Sequence, residues 1–345
     1  MCTRGTTMPP VPEPPAPRAI SVVIPTRDSA ETLGACLEAV FASEYRDFEV
    51  VVVDDCSRDG TTEVVAGFPC RVVPGGAPRG PAAARNAGAR ESSGNALVFI
   101  DSDIVVPRGA LGRVAELLTS GACDAVVGML DKDSAYGNLA SFYKNAYMHY
   151  TYRMLPPEMG VFYSSIAAIT RDAFHGAGGF DEGYRDACIE DTEFGGRIRA
   201  RGYRMLLDKT LVARHLRHYR IRELLATGFR RTSGIVKIAL RRLAGRGGSP
   251  THLTSPRSFT AGIALSMLAC AATLLSPLAG RGLLPVALVL VLVSLLLNAG
   301  FLLFIAREGG LTRGVLAVPL LIADQIAHGL GAIHGFIAYA VGERY

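Results

Sequence analysis

At 345 residues the chain is long enough for two ordinary domains, or for one large domain with an addition. A net charge of +5 would permit nucleic acid as a partner, but arginines and lysines crowd between residues 214 and 257, just before an apolar tail over 259–341 that is nearly free of charge. Juxtamembrane charge collects in that position, so anionic lipid headgroups are the expected counterion and nucleic acid is not.

The N-terminal "MCTRGTTMPPVPEPPAPR" is proline-rich and has no apolar core, so residues 1–19 read as a disordered tail and not as a secretory signal. From Ile20 the pattern changes. "AISVVIP" (19–25), "EVVVVDD" (49–55) and "ALVFIDSD" (96–103) are short apolar runs of the kind found in strands covered on both faces. Between and after them, residues 30–43 carry Leu33, Leu37, Val40 and Phe41 at helical spacing, and further helices are expected at 81–91 and 109–119. Strands alternating with helices imply a doubly wound α/β sheet. In such sheets ligands bind beyond the carboxyl ends of the strands. Each run ends there in polar residues: Thr26, Arg27 and Asp28, then Asp54 and Asp55, then Asp101 and Asp103.

Beyond residue 130 an aromatic stretch (141–165) precedes an acidic turn, "IEDTE" (189–193). Residues 220–243 intersperse Leu224, Leu225, Phe229, Val236 and Leu240 with arginines, as an amphipathic helix in a membrane interface would; the alternative is an ordinary surface helix. The tail then divides into three candidate spans, about 259–279, 283–306 and 313–341, each able to supply the ~20 residues a crossing needs. Basic residues are dense before the first span and recur at Arg307 and Arg313. That alternation predicts a multi-pass protein of the cell (inner) membrane with its soluble part in the cytoplasm. The seven cysteines, with no C-x-x-C pair or ligand-like spacing, fit the same reducing compartment. Asp324, His328 and His334 are costly in lipid and should face other helices or water, for function or for structural pairing.

Asp101 and Asp103 stand one residue apart, and on a strand they would face opposite sides, so a turn must begin here if both are to reach one ligand. A divalent cation would remove their repulsion, and oxygen ligands favour Mg²⁺ or Mn²⁺. The alternative is that Asp101 caps the next segment and Asp103 is solvated. These acids do not stand alone, however. "VVIPTRD" (22–28), "EVVVVDDCSRDGT" (49–61), "GPAAARNAG" (80–88), "FIDSD" (99–103), "GGFDEGY" (178–184) and "IEDTE" occur in order and continue to His215. In this the chain resembles the family 2 glycosyltransferases with a GT-A fold, over roughly residues 20–218.

The resemblance implies a Rossmann-like nucleotide-diphospho-sugar transferase domain at 20–218. A basic interfacial segment at 219–257 and an all-α membrane region at 258–345 would follow. It implies that Pro25, Thr26 and Asp28 contact the nucleoside, with Arg27 standing where an Asn or another polar residue is usual. Asp55 would accept from the base with Asp54 nearby, and Arg85 and Asn86 would support the nucleotide or its pyrophosphate. Asp103 would bind the metal, Asp101 the ribose or the metal and its waters, and His215 would lie near the diphosphate. Asp191 matches the catalytic base, with Glu190 and Glu193 on the acceptor side. Chemistry agrees, since an inverting transfer needs one carboxylate to take the acceptor's proton, and neighbouring acids would raise its pKa toward useful basicity. Acids also favour a helix N-terminus, and both readings of "EDTE" can hold. Arg230 and Arg231 would either close over phosphates or meet the membrane surface.

The absence of Q-x-x-R-W and of any tryptophan argues against a processive polysaccharide synthase. The reading that results is a membrane-anchored transferase taking a sugar from a nucleotide diphosphate to a membrane-associated, lipid-linked hydroxyl. A polyprenyl-phosphate acceptor, or a non-catalytic scaffold retaining the fold, are the alternatives. A dehydrogenase is disfavoured because no G-x-G-x-x-G follows the first strand.

Overall fold

The computed structural model describes residues 19–185, 188–245, 255–279 and 282–343, so the expected tail lies, up to residue 18, outside the described residues. The β-branched runs form β1 (Ile20–Thr26), β2 (Phe48–Asp54), β3 (Arg71–Pro74) and β4 (Ala96–Ile100), which are mutually parallel. Val22, Val23 and Ile24 of β1 and Val51 and Val52 of β2 are wholly inaccessible. A strand covered on both faces has no wet side, which is why its sequence does not alternate. The crossovers run through α1 (Leu33–Phe41), α2 (Thr61–Ala66) and α3 (Pro81–Arg90). The Ala-rich α3 can lie close to the sheet: at Gly88 an added Cβ would fall 2.3 Å from Val23.

After β4 come β5 (Ile104–Val105), α4 (Ala110–Thr119), β6 (Ala125–Leu130), α5 (Leu139–Met154), β7 (Ile166–Thr170), α6 (Arg171–Ala177), α7 (Glu190–Ala200) and β8 (Met205–His215). Here the sheet departs from the doubly wound expectation. Its order is β3-β2-β1-β4-β7-β6-β8-β5, with β7 antiparallel to both β4 and β6. The two-residue β5 pairs antiparallel with the end of β8, setting Ile104 opposite His215. The Leu216 N–H then donates to the Asp103 carbonyl at 2.7 Å, so the end of β8 is pinned beside the segment that follows β4.

The helical region comprises α8 (Ile221–Leu243), α9 (Arg257–Ala279), α10 (Leu283–Leu297), α11 (Ala299–Gly309) and α12 (Leu311–Ala340). α9 and α12 are each long and apolar enough to cross a membrane, whereas α10 and α11 qualify only as a pair bent by 60°. The expected second span is therefore broken, at Asn298, whose amide donates to the carbonyls of Ser294 (2.9 Å) and Ser258 (3.2 Å). On the α9–α10 hairpin Leu274, Leu278, Leu288 and Leu292 are 55–87% exposed.

The amphipathic helix α8 is present, but protein covers its apolar face. It runs parallel to α12, with Phe229 against Gly331 and Ser233 against Gly335. Small residues one turn apart let the two backbones touch. The polar residues of α12 face inward as expected. Asp324 accepts from the Tyr143 hydroxyl at 3.2 Å, His328 Nδ1 lies 2.6 Å from Thr232 Oγ1, and His334 Nδ1 lies 3.0 Å from Ser233 Oγ.

At Gly331 an added Cβ would sit 2.2 Å from the Phe229 carbonyl oxygen, whereas at Gly137 it would meet nothing within 4 Å. A backbone atom cannot rotate away, so Gly331→Ala should cost about 1–3 kcal/mol despite alanine's better helix propensity. A lowered thermal midpoint, with Gly137→Ala unchanged, would confirm the contact; equal midpoints would refute it.

Candidate active site

The carboxyl ends of β1, β2 and β4 open into a cleft of about 590 Å³, lined by Pro25, Thr26, Asp28, Asp55, Arg85, Asp101 and Asp103. Asp55 is buried at its floor. Its two carboxylate oxygens accept from the backbone N–H groups of Arg79 (2.8 Å) and Gly80 (3.0 Å), which fixes the loop into α3. Gly80 has φ +87°, and a Cβ there would lie 2.0 Å from the Arg185 carbonyl oxygen, so only glycine fits. Asp28, at φ 49°, accepts from the Arg58 N–H at 2.7 Å and holds the facing loop. Arg27, whose role the sequence leaves open, lies 3.9 Å from Asp28 and 4.0 Å from Asp55 at the rim.

Two expected nucleotide contacts do not line this cleft. Asp54 accepts from the Ser57 N–H (3.0 Å) and hydroxyl, closing the turn after β2. Asn86 is buried and clamps the "GGFDEGY" loop, donating to the Phe180 carbonyl (2.8 Å) and accepting from the Phe180 N–H (2.9 Å). Both carry polar side chains at the expected strand or helix position, but the nearest backbone groups claim them first.

Arg85 is only 4% exposed and bridges two carboxylates, Asp101 Oδ1 and Glu190 Oε1, each at 2.8 Å. Burial disfavours its cation, yet these two charges outweigh burial and hold the guanidinium protonated. The other oxygen of Asp101 accepts from Ser165 at 2.6 Å. With both oxygens engaged, Asp101 is not the free metal ligand that its spacing from Asp103 suggests. Asp103 instead meets His215: Oδ2 and Nε2 are 3.4 Å apart, and His215 Nδ1 lies 3.4 Å from Asn145 Oδ1. Among the described residues no group of three His, Cys, Asp or Glu side chains could hold a metal. One carboxylate and one imidazole do fit a divalent cation that completes its shell with phosphate oxygens and water, as Mg²⁺ and Mn²⁺ do at substrate phosphates.

A second cavity of about 290 Å³ contains Asp191 and shares Arg85, Asp101 and Arg217 with the first, so Asp103 and Asp191 open onto one continuous cleft. Asp191 sits in the first turn of α7, and its carboxylate accepts from the Thr192 N–H at 2.6 Å. Its pKa is raised to about 6. Burial is the main cause; Glu190 adds to it and Arg231 opposes it. The flanking acids therefore contribute less than their number implies. Glu190 is neutralised by Arg85, and Glu193, expected on the acceptor side, turns away to Arg197 at 2.7 Å and does not line the cavity.

Arg230 and Arg231 line this second cavity and not the first, and Lys144 and Arg217 join them. Sequence reasoning missed these last two. Arg217 is indistinguishable from the juxtamembrane arginines around it. Lys144 carried a signal, as a lone cation in an aromatic run.

With this geometry in place, comparison with known proteins is specific. Residues 21–177 match the model of the family described as glycosyl transferase family 2. The chain is 34% identical over 130 residues to the succinoglycan biosynthesis protein ExoO of Rhizobium meliloti, covering 37% of each. It is 33% identical over 129 residues to the glycosyltransferase AglE of Haloferax volcanii, covering 35% of this chain and 42% of that one. The chain thus spans about two fifths of the length of these curated relatives. The mannosyltransferase PcManGT from Pyrobaculum calidifontis, solved in complex with GDP-Man and Mn²⁺, shares the fold: TM-score 0.55 over 92% of this chain and 89% of that one, at 22% identity. The α/β part of the chain is a family 2 glycosyltransferase domain with the GT-A fold, followed by a helical region.

Replacing Arg85 with methionine would strand the buried Glu190 without a counter-charge. Breaking a buried pair in this way should lower unfolding stability by about 3–5 kcal/mol in urea titration. An unchanged midpoint would mean that Glu190 finds water or protonates, and that the bridge does not hold the site together.

Proposed function

We propose that this chain is an inverting glycosyltransferase that moves a sugar from a nucleotide-diphosphate donor to a hydroxyl of a membrane-associated acceptor. One observation carries the reading. A buried carboxylate poised near pH 6, Asp191, faces a cavity that continues into the strand-end cleft. A base in that position takes the proton of the acceptor hydroxyl as its oxygen attacks the anomeric carbon; the bond to the nucleotide diphosphate breaks and the configuration inverts. The names of the relatives, and the GDP-Man and Mn²⁺ held by PcManGT, support this reaction class.

The roles divide along the cleft. Pro25, Thr26, Asp28 and Asp55 form the nucleoside end. Arg85, fixed between Asp101 and Glu190, holds the junction of donor and acceptor sides. Asp103 and His215 would hold Mg²⁺ or Mn²⁺, which when bound offsets the negative charge of the departing diphosphate. Placement at the cytoplasmic face of a membrane is supported by two helices, or three if the bent pair counts as one, that are apolar enough to cross, and by the basic residues before the first of them.

Asp191→Asn should lower kcat by about 10²–10⁴-fold, measured as nucleotide release from UDP- or GDP-sugars with lipid extract as acceptor, and leave the donor KM unchanged. In the unaltered protein kcat should rise as pH increases through about 6, because only the ionised carboxylate accepts a proton, and the variant should lose that dependence. Unchanged turnover in Asp191→Asn would refute the base assignment. Donor binding is tested separately by thermal shift with UDP and GDP. Stabilisation should appear only with Mn²⁺ or Mg²⁺, reach about 2.7 kcal/mol at a hundredfold excess over Kd, and vanish in Asp103→Asn and His215→Ala. Stabilisation that persists in EDTA would remove the metal from the site.

A further inference from the structure

Beyond Asp191 the acceptor cavity does not close. It continues into a smaller cavity beneath α5, α8 and α12, and the two share Lys144, Met148, Thr227 and Arg231. The charge along this path is unbalanced. Asp101 and Glu190 are already bound by Arg85, which leaves Lys144, Arg217, Arg230 and Arg231 against the single carboxylate of Asp191 on the cavity wall. Further in, Asp324 lines the smaller cavity and is engaged by the Tyr143 hydroxyl and, at 3.6 Å, by His328.

The cations are also poorly satisfied. Arg231 makes one hydrogen bond to Thr192 Oγ1, at 3.5 Å, and Lys144 makes none to a described residue. Burial, reinforced by the charge of Arg231, pushes the Lys144 ammonium down to about 8. On the wall of the smaller cavity the Tyr152 hydroxyl, 98% buried, has no hydrogen-bond partner. Gathering like charges away from water is unfavourable unless something of opposite charge is held among them. The donor's diphosphate belongs elsewhere, since Lys144, Arg230 and Arg231 do not line the donor cleft. The path also reaches Ser255 at the entrance to α9 and His328 on α12, the two helices apolar enough to cross a membrane.

We infer that the acceptor is a lipid phosphate ester, whose phosphate or diphosphate is held by Lys144, Arg230 and Arg231 while a neighbouring hydroxyl meets Asp191. This rests on the transferase reading and narrows it: a neutral glycolipid would leave these cations without a counter-charge. Arginine and lysine suit the task, because charge-assisted hydrogen bonds to phosphate oxygens are among the strongest available to a protein.

Binding, not turnover, tests it. The full chain in neutral detergent, with EDTA present to keep diphosphate out of the donor cleft, is titrated calorimetrically with farnesyl diphosphate, farnesol and inorganic pyrophosphate. Farnesyl diphosphate should bind more tightly than either other probe. Lys144→Met and Arg230→Gln should each weaken it about tenfold or more, and Asp103→Asn should not. Equal binding of farnesol would overturn the anion site, and so would indifference to both cation variants. Loss of binding in Asp103→Asn would place the probe in the donor cleft, and pyrophosphate as tight as farnesyl diphosphate would remove the lipid. A chain that transfers sugar but fails this titration loses the inference and keeps the transferase function; one that binds but releases no nucleotide from any donor does the reverse.

Discussion

The site depends on one buried guanidinium. Arg85 joins the end of β4, through Asp101, to the first turn of α7, through Glu190. These two elements carry the two halves of the chemistry, Asp103 on one side and Asp191 on the other, and no backbone hydrogen bonds of a shared sheet connect them. An arginine can do this because its planar fork presents separate donors to two carboxylates at once and stays charged when buried. The same bridge silences Asp101 as a metal ligand and Glu190 as a rival base. It leaves one acid free on each side.

That division explains why Asp191 is basic enough to be useful. An isolated aspartate is too weak a base near neutrality, and clustering acids around it would be the obvious remedy. Here burial does most of the work, while Glu190 is paired with Arg85 and Glu193 is turned toward Arg197. The pocket that supplies the burial is built partly by the helical region: α8 contributes Arg230 and Arg231, and α8 is held in place by its close approach to α12. The C-terminal helices are therefore structural members of the acceptor side as well as candidate membrane spans.

How much of this was legible can be argued from particular residues. The runs of β1, β2 and β4 and the helices α1, α3 and α4 stand where apolar pattern and spacing predict. The polar edge after each strand lines the cleft through Thr26, Asp55 and Asp103. Asp54 and Asn86, of equal promise in sequence, are spent on closing a turn and clamping a loop. The direction of β7 carried no local mark, because a strand buried on both faces reads the same whichever way its neighbours run.

The sequence by itself determined where burial, strand ends and apolar helices fall, because periodicity and the cost of placing polar groups in apolar surroundings act over a few neighbouring residues. Only the tertiary structure decided which distant polar groups meet: His215 with Asp103 through the short pairing of β5 and β8, Arg85 with Glu190, and Lys144 with Arg231 along one cavity. A charge or a hydrogen-bonding group is chemically the same wherever it stands in the chain. Its role follows from the partner that reaches it first, and that is fixed by chain topology.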